Sequence, residues 1–207
     1  MEMEAYIAKK TASTLGPSDP CWERASVAPL TFTWPEYSPI PYRTEARLVH
    51  SDEGVTVRLS STEWPLRALS REPNTEVCED SCMEFFFIPS LEGREYINIE
   101  VNPFGIPHVG LGEGRCGRRL LDISGEGLRI ETAIRPGEGW SLSVFIPYTF
   151  IDRYFGTHTD EWRVNFYKCG DLTVKEHYAT WSKVGTEAPD YHRPEFFGKL
   201  ILSQEAL

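Results

Sequence analysis

Apolar and polar residues alternate with a period of two along much of this 207-residue chain, and no long stretch keeps a 3.6-residue period. In Val55-Thr-Val-Arg-Leu-Ser60, Val55, Val57 and Leu59 alternate with Thr56, Arg58 and Ser60. A turn at Ser51-Asp-Glu-Gly54 pairs this strand with Ala46-Arg-Leu-Val-His50. Strands are also predicted over 81–88 and 95–102. In the latter, Ile97, Ile99 and Val101 face one way and Tyr96, Asn98, Glu100 and Asn102 the other. A second hairpin joins 128–134 to 140–146 through Pro136-Gly-Glu-Gly139, and further strands fall at 162–168, 178–181 and 197–202. Only 147–154 suits a helical turn or two, with proline at its opening. Residues 11 to 41 carry Pro17, Pro20, Pro29, Pro35, Pro39 and Pro41, so this stretch should lie extended, pinned by Trp22, Phe32 and Trp34. The pattern predicts an all-β, antiparallel two-sheet β-sandwich, jelly-roll-like, as one domain over 1–207 with 1–41 as an arm packed on it.

Composition narrows the function. Hydrophobic residues make up 41%, enough for a sizeable core, and no window approaches the roughly 18 uninterrupted apolar residues of a membrane span. A net charge of −10 and a pI near 5.0 argue against nucleic acid as a partner. The charged start Met1-Glu-Met-Glu lacks the apolar run of a secretory signal, so a cytoplasmic location is expected unless a leader precedes this chain. Cys21, Cys78, Cys82, Cys116 and Cys169 are odd in number and scattered, which suggests reduced thiols.

Several motifs fail on context. Gly112-Glu-Gly-Arg-Cys-Gly117 fits a dinucleotide fingerprint, but no helical stripe follows it. Glu84 and Glu100 sit on adjacent predicted strands, and paired carboxylates can hydrolyse glycosides, which makes a sugar-modifying enzyme using Glu84 the alternative reading. No serine elbow or Cys–His arrangement is recognisable, and the five histidines lack metal-ligand spacing. The best constellation is a polar strand face: Glu84, the row Asn98–Glu100–Asn102 and the row Arg163–Asn165–Tyr167, with Tyr178 and Trp181 nearby. Such side chains can bond sugar hydroxyls, and aromatic faces match the C–H face of a pyranose ring. A hydrated outer face with core aromatics would produce the same pattern, so spacing alone leaves function open.

The segment Cys78-Glu-Asp-Ser-Cys-Met-Glu-Phe-Phe-Phe87 resembles the family 9 carbohydrate-binding modules and their standalone relatives. Similar blocks follow in order: Tyr96–Gly105, Trp140–Pro147, Trp162–Phe166, Trp181–Val184 and the closing Tyr191-His-Arg-Pro-Glu-Phe-Phe-Gly-Lys-Leu200. Even Asp19-Pro-Cys-Trp22 is similar to the family's opening. The resemblance implies a β-sandwich that binds a saccharide, often near a chain end, without catalysis. It makes Trp181 a stacking residue and Glu84 a sugar contact, and Asn102, Asn165, Tyr178 and Arg115 are further candidates. The family's other sandwiching tryptophan falls on Cys78, with Trp64 or Tyr178 as a substitute. Family members often hold structural calcium, for which Glu79 and Asp80 offer hard oxygens. Haem domains of the same superfamily use an axial Met, but Met83 falls on the core side of its strand.

Overall fold

The computed structural model describes residues 3–34, 36 and 42–207; Pro35, Pro39 and Pro41 of the proline-rich arm lie outside these. The strands are β1 (Ala5–Lys10), β2 (Ala28–Pro29), β3 (Phe32–Thr33), β4 (Thr44–His50), β5 (Gly54–Ser61), β6 (Cys82–Ile88) and β7 (Tyr96–Val101). Then come β8 (Pro107–Gly112), β9 (Arg119–Leu120), β10 (Arg129–Arg135), β11 (Gly139–Pro147), β12 (Glu161–Cys169), β13 (Tyr178–Thr180) and β14 (Gly198–Ala206). One α-helix, α1 (Tyr148–Phe155), opens after Pro147 as expected. Short 3-10 turns occupy Pro20–Arg24, Val77–Glu79 and Pro194–Phe196.

Hydrogen bonding links these strands into one mixed, curled sheet, whose main path runs β10-β11-β5-β4-β1-β14-β12-β6-β7-β8-β9. The expected hairpins β4–β5 and β10–β11 form in antiparallel register. The expectation of purely antiparallel sheets needs correction at β1, which pairs parallel to β14 through Ala5–Ala8 and parallel to β4 through Lys9–Lys10. A register shift between Ala8 and Lys10 lets this strand pass from one half of the sheet to the other. The first residues of the expected packed arm are therefore an integral strand of the sheet, a seam between its two halves. Farther along, the arm is pinned as expected, with Trp22 and Trp34 buried.

Alternation then decides what goes inside. Val55, Val57, Leu59, Leu142 and Val144 from one half share a core with Phe85, Phe87, Ile97, Ile99, Val164 and Phe166 from the other. Met83 lies in this core, fully buried, as its strand position indicated. The opposite face of β6, β7 and β12 is covered too: Phe86, Tyr96, Tyr167 and Cys169 pack under Trp34, Val184, Tyr191 and Phe197. Close approach favours glycine at positions that include 139 and 110. A Cβ on Gly139, at φ 130°, would lie 2.0 Å from the Ser61 carbonyl oxygen, and one on Gly110 would lie 2.8 Å from Asn98 Oδ1.

A buried ionic cluster braces the covered half. Lys168 Nζ lies 2.8 Å from Glu63 Oε2, with both side chains fully buried. Ser81 Oγ and Trp140 Nε1 donate to the same carboxylate, and Lys168 Nζ donates to His177 Nε2 at 2.7 Å. Burial and the neighbouring Lys168 charge hold the His177 pKa down at about 4, so the ring is neutral and accepts that bond.

Candidate functional site

Pairing across the outer face of β12, β6, β7 and β8 places side chains in rungs. Tyr167, Glu84, Glu100 and His108 stand opposite one another in one rung; Tyr178, Cys169 and Cys82 form the next. Over these rungs a cavity of about 250 Å³ opens. Its floor holds Glu84, Glu100 and Cys169, and its rim includes Arg115, Arg118, Asp171, Tyr178, Tyr191 and His192.

The rim is tied down by its own hydrogen bonds. The Tyr191 ring stacks on Tyr167 at 4.2 Å, and its hydroxyl donates to the Lys168 carbonyl at 2.8 Å. Burial first, then the Arg118 and Arg115 charges, hold the His192 pKa down at about 3, so its neutral ring accepts from the Tyr96 hydroxyl at 2.8 Å. Arg118 lies 4.4 Å over the Tyr96 ring, donates to the Gly114 carbonyl, and also reaches Asn98 Oδ1. Arg115 is exposed and pairs with Asp190 at 2.9 Å. Tyr178 is half-buried, and its hydroxyl donates to Glu176 at 2.9 Å.

The floor is acidic and buried. Burial, reinforced by neighbouring Glu100, pushes Glu84 well above the ordinary carboxylate range, and burial raises Glu100 as well. The Cys169 thiol donates to Glu84 Oε1 at 3.0 Å. Asp171, at the rim, is likewise pushed up by burial. The arrangement offers hydroxyl, guanidinium and carboxyl groups around a space walled by Tyr178, Tyr191 and His192, suited to a small polyhydroxylated ring.

Three of the six residues singled out from sequence, Glu84, Tyr178 and Arg115, line this cavity. The other three do not. Trp181 is only 5% exposed and lies in the main core, edge-on to Tyr6 at 6.4 Å and against Phe166 at 5.5 Å. The reason is the alternation itself: Ala179 and Trp181 point inward, whereas Tyr178 points outward. Asn102 is a loop brace, accepting from the Phe104 and Ile106 amides and donating to Asp80 and the Ser70 carbonyl. Asn165 ties β12 to the next segment through both backbone groups of Ser182.

Of the two residues considered for calcium, Asp80 is already engaged. Both Asp80 oxygens accept from donors: the Arg67 guanidinium, the Leu69 and Ser70 amides, and the Asn102 side chain. These donors would have to be displaced by the ion. Trp64, the proposed substitute for the missing tryptophan, lies in a separate apolar groove with Leu69 and Phe104. Gly112–Gly117 forms the turn from β8 towards β9 and delivers Arg115 and Arg118 to the rim, with no helix following.

Arg118, Asp171, Tyr191 and His192 were not singled out from sequence as site residues. Tyr191 and His192 stood inside the recognised closing block, which was the available signal. Asp171 and Arg118 reach the cavity from loops, where no periodicity announces them.

The model of carbohydrate-binding family 9 matches residues 23–202. A comparison with curated proteins gives no match. Among solved structures, the chain is similar to a candidate carbohydrate-binding protein from Bacteroides uniformis ATCC 8492, with 26% identity and a TM-score of 0.81, covering 97% of this chain and 99% of that one. It is also similar to a family 9 carbohydrate-binding module from Caldicellulosiruptor kristjanssonii, solved with cellotriose and with glucose. There the identity is 10%, the TM-scores are 0.68 and 0.69, and 98% of this chain aligns with 95% and 97% of those chains, a likeness of fold alone. The family match extends over most of the sequence, and on that evidence the chain belongs to carbohydrate-binding family 9.

Proposed function

We propose that the chain binds a saccharide end, without turning it over, in the cavity above the Glu84–Glu100 rung. The observation that carries this reading is the cavity itself, with a floor on paired strands and a rim from loops, in a chain of a carbohydrate-binding family. At about 250 Å³ it falls below the roughly 300–1,000 Å³ typical of drug-sized ligands, which favours one sugar unit over a long chain segment. Tyr178 and Tyr191 supply the aromatic surface that Trp181 and Cys78 do not. Glu84, Glu100, Arg118 and Arg115 supply hydrogen bonds to ring hydroxyls. The cellotriose and glucose held by the relatives' modules make β-glucan ends and glucose the first ligands to try.

Burial raises both carboxyls, and Glu100 adds to the shift of Glu84, so the pair can donate as well as accept hydrogen bonds. Isothermal titration calorimetry with glucose, cellotriose and a broader sugar panel, alongside chromatography for released products, tests the reading. Saccharide binding lost in Tyr178→Ala and Arg118→Ala, with no product formed, is the expected outcome. Product release that depends on Glu84, or binding untouched by both rim substitutions, overturns it.

A further inference from the structure

We propose that Cys82, Cys169 and Glu84 form a site for one thiophilic divalent cation, such as zinc, in the floor of the cavity. Cys82 and Cys169 stand directly opposite one another on β6 and β12, and Glu84 follows two residues along on the same face. Paired strands thus hold all three side chains together. One donor atom from each lies within 4.8 Å of the others, and all three residues are buried.

The donor chemistry selects the ion. Calcium and magnesium take oxygen ligands, whereas two thiolates with a carboxylate suit zinc or cadmium. Zinc holds sulfur at about 2.3 Å and carboxylate oxygen at about 2.0–2.2 Å in a tetrahedron, so modest side-chain rotation would gather these donors round one centre. Glu84 is bonded to the Cys169 thiol, while neighbouring Lys168 turns to the opposite side to pair with Glu63. A cation would therefore displace protons here and not an existing ion pair.

Access is provided as well. Glu84 and Cys169 line the cavity, which supplies an entry path to the donors. Because Glu84 belongs to the saccharide cavity, a bound cation should alter sugar affinity; only this coupling rests on the functional reading above.

The test is titration of the reduced, full-length chain with cobalt(II) in the absence of sugar. The expected result is thiolate-to-cobalt charge-transfer absorption with the visible bands of a tetrahedral ion, saturating at one equivalent and bleached by zinc. Cys82→Ser and Cys169→Ser should lose the absorption, and Cys116→Ser, at an exposed site, should keep it. Should the serine variants not fold, cadmium-113 NMR of the wild-type chain reports directly whether two sulfurs ligate the ion. An all-oxygen cadmium signal, no charge-transfer absorption, or absorption that survives both serine substitutions overturns the proposal. Sugar calorimetry in chelator is a separate measurement, so failure of either idea is distinguishable from failure of the other.

Discussion

Replacing Trp181 by alanine should damage the fold and leave the binding site intact. An aromatic side chain of this kind buries about 150–250 Å², and at about 25 cal/mol per Å² its removal from the core forfeits roughly 4–6 kcal/mol. Measured truncations of large core side chains cluster slightly lower, at about 3–5 kcal/mol, because the surroundings relax in part. Relaxation is constrained here, since the indole packs against Gly198 and between Tyr6 and Phe166. For a chain of this length each kcal/mol lowers Tm by about 2–4 °C, which gives a fall of roughly 6–20 °C. Tyr178→Ala should show the reverse pattern. Its stability cost should be much the smaller, while loss of a rim aromatic should remove about 2 kcal/mol of saccharide binding, roughly thirtyfold in affinity. Paired urea melts and sugar calorimetry on both variants make the comparison. A Trp181→Ala protein that melts within about 1 kcal/mol of wild type yet has lost its sugar would refute the assignment of this residue to the core.

Lys168→Met should destabilise the chain by about 3–5 kcal/mol in denaturant titrations, because it leaves the Glu63 carboxylate buried without its cation. Gly139→Ala should cost about 3 kcal/mol or more by the same assay, since the added Cβ meets backbone at a positive φ. His177 and His192 should stay neutral by NMR until the pH nears about 4 and about 3 respectively. The unfolded chain protonates both near pH 6.5, so their contribution to stability is complete above that pH and declines as pH falls towards those native values. Native imidazole NMR titrations with midpoints at or above 6.5 would contradict this sign.

Strand alternation made most of the fold legible, because a half-buried strand must sort its side chains by face. The β4–β5 and β10–β11 hairpins carry their own turn residues, and Ile97, Ile99 and Val101 went inward as the pattern required. What escaped was of a different kind. Strand β8 begins with proline and contains Gly110 and Gly112, residues that usually mark a break. Its glycine at 110 answers to space, since Asn98 occupies the volume a Cβ would need. β1 escaped because its value lies in long-range pairing with β4 and β14, which local pattern cannot report.

Half of the candidate residues line the cavity and half lie elsewhere, and the division has a physical cause. Glu84 stood out through its pairing with Glu100, its place on a polar strand face and the family likeness, and the structure places it at the floor of the cavity. Trp181 reads either way in the sequence, because an indole serves equally well as a core filler and as a sugar platform, and the structure places it in the core. The distinction between those roles is carried by strand phase, and residues Tyr178 to Trp181 are too few for polarity alone to set it. Family likeness placed a tryptophan there but not its direction. On the reading proposed here, the lid of the cavity around Tyr191 supplies the aromatic wall, fixed to the sheet by its stack on Tyr167 and its bond to the Lys168 carbonyl. Sugar preference in this chain should therefore follow the residues of the lid, Tyr178, Tyr191, His192 and Arg118, more closely than the tryptophan positions that identify the family.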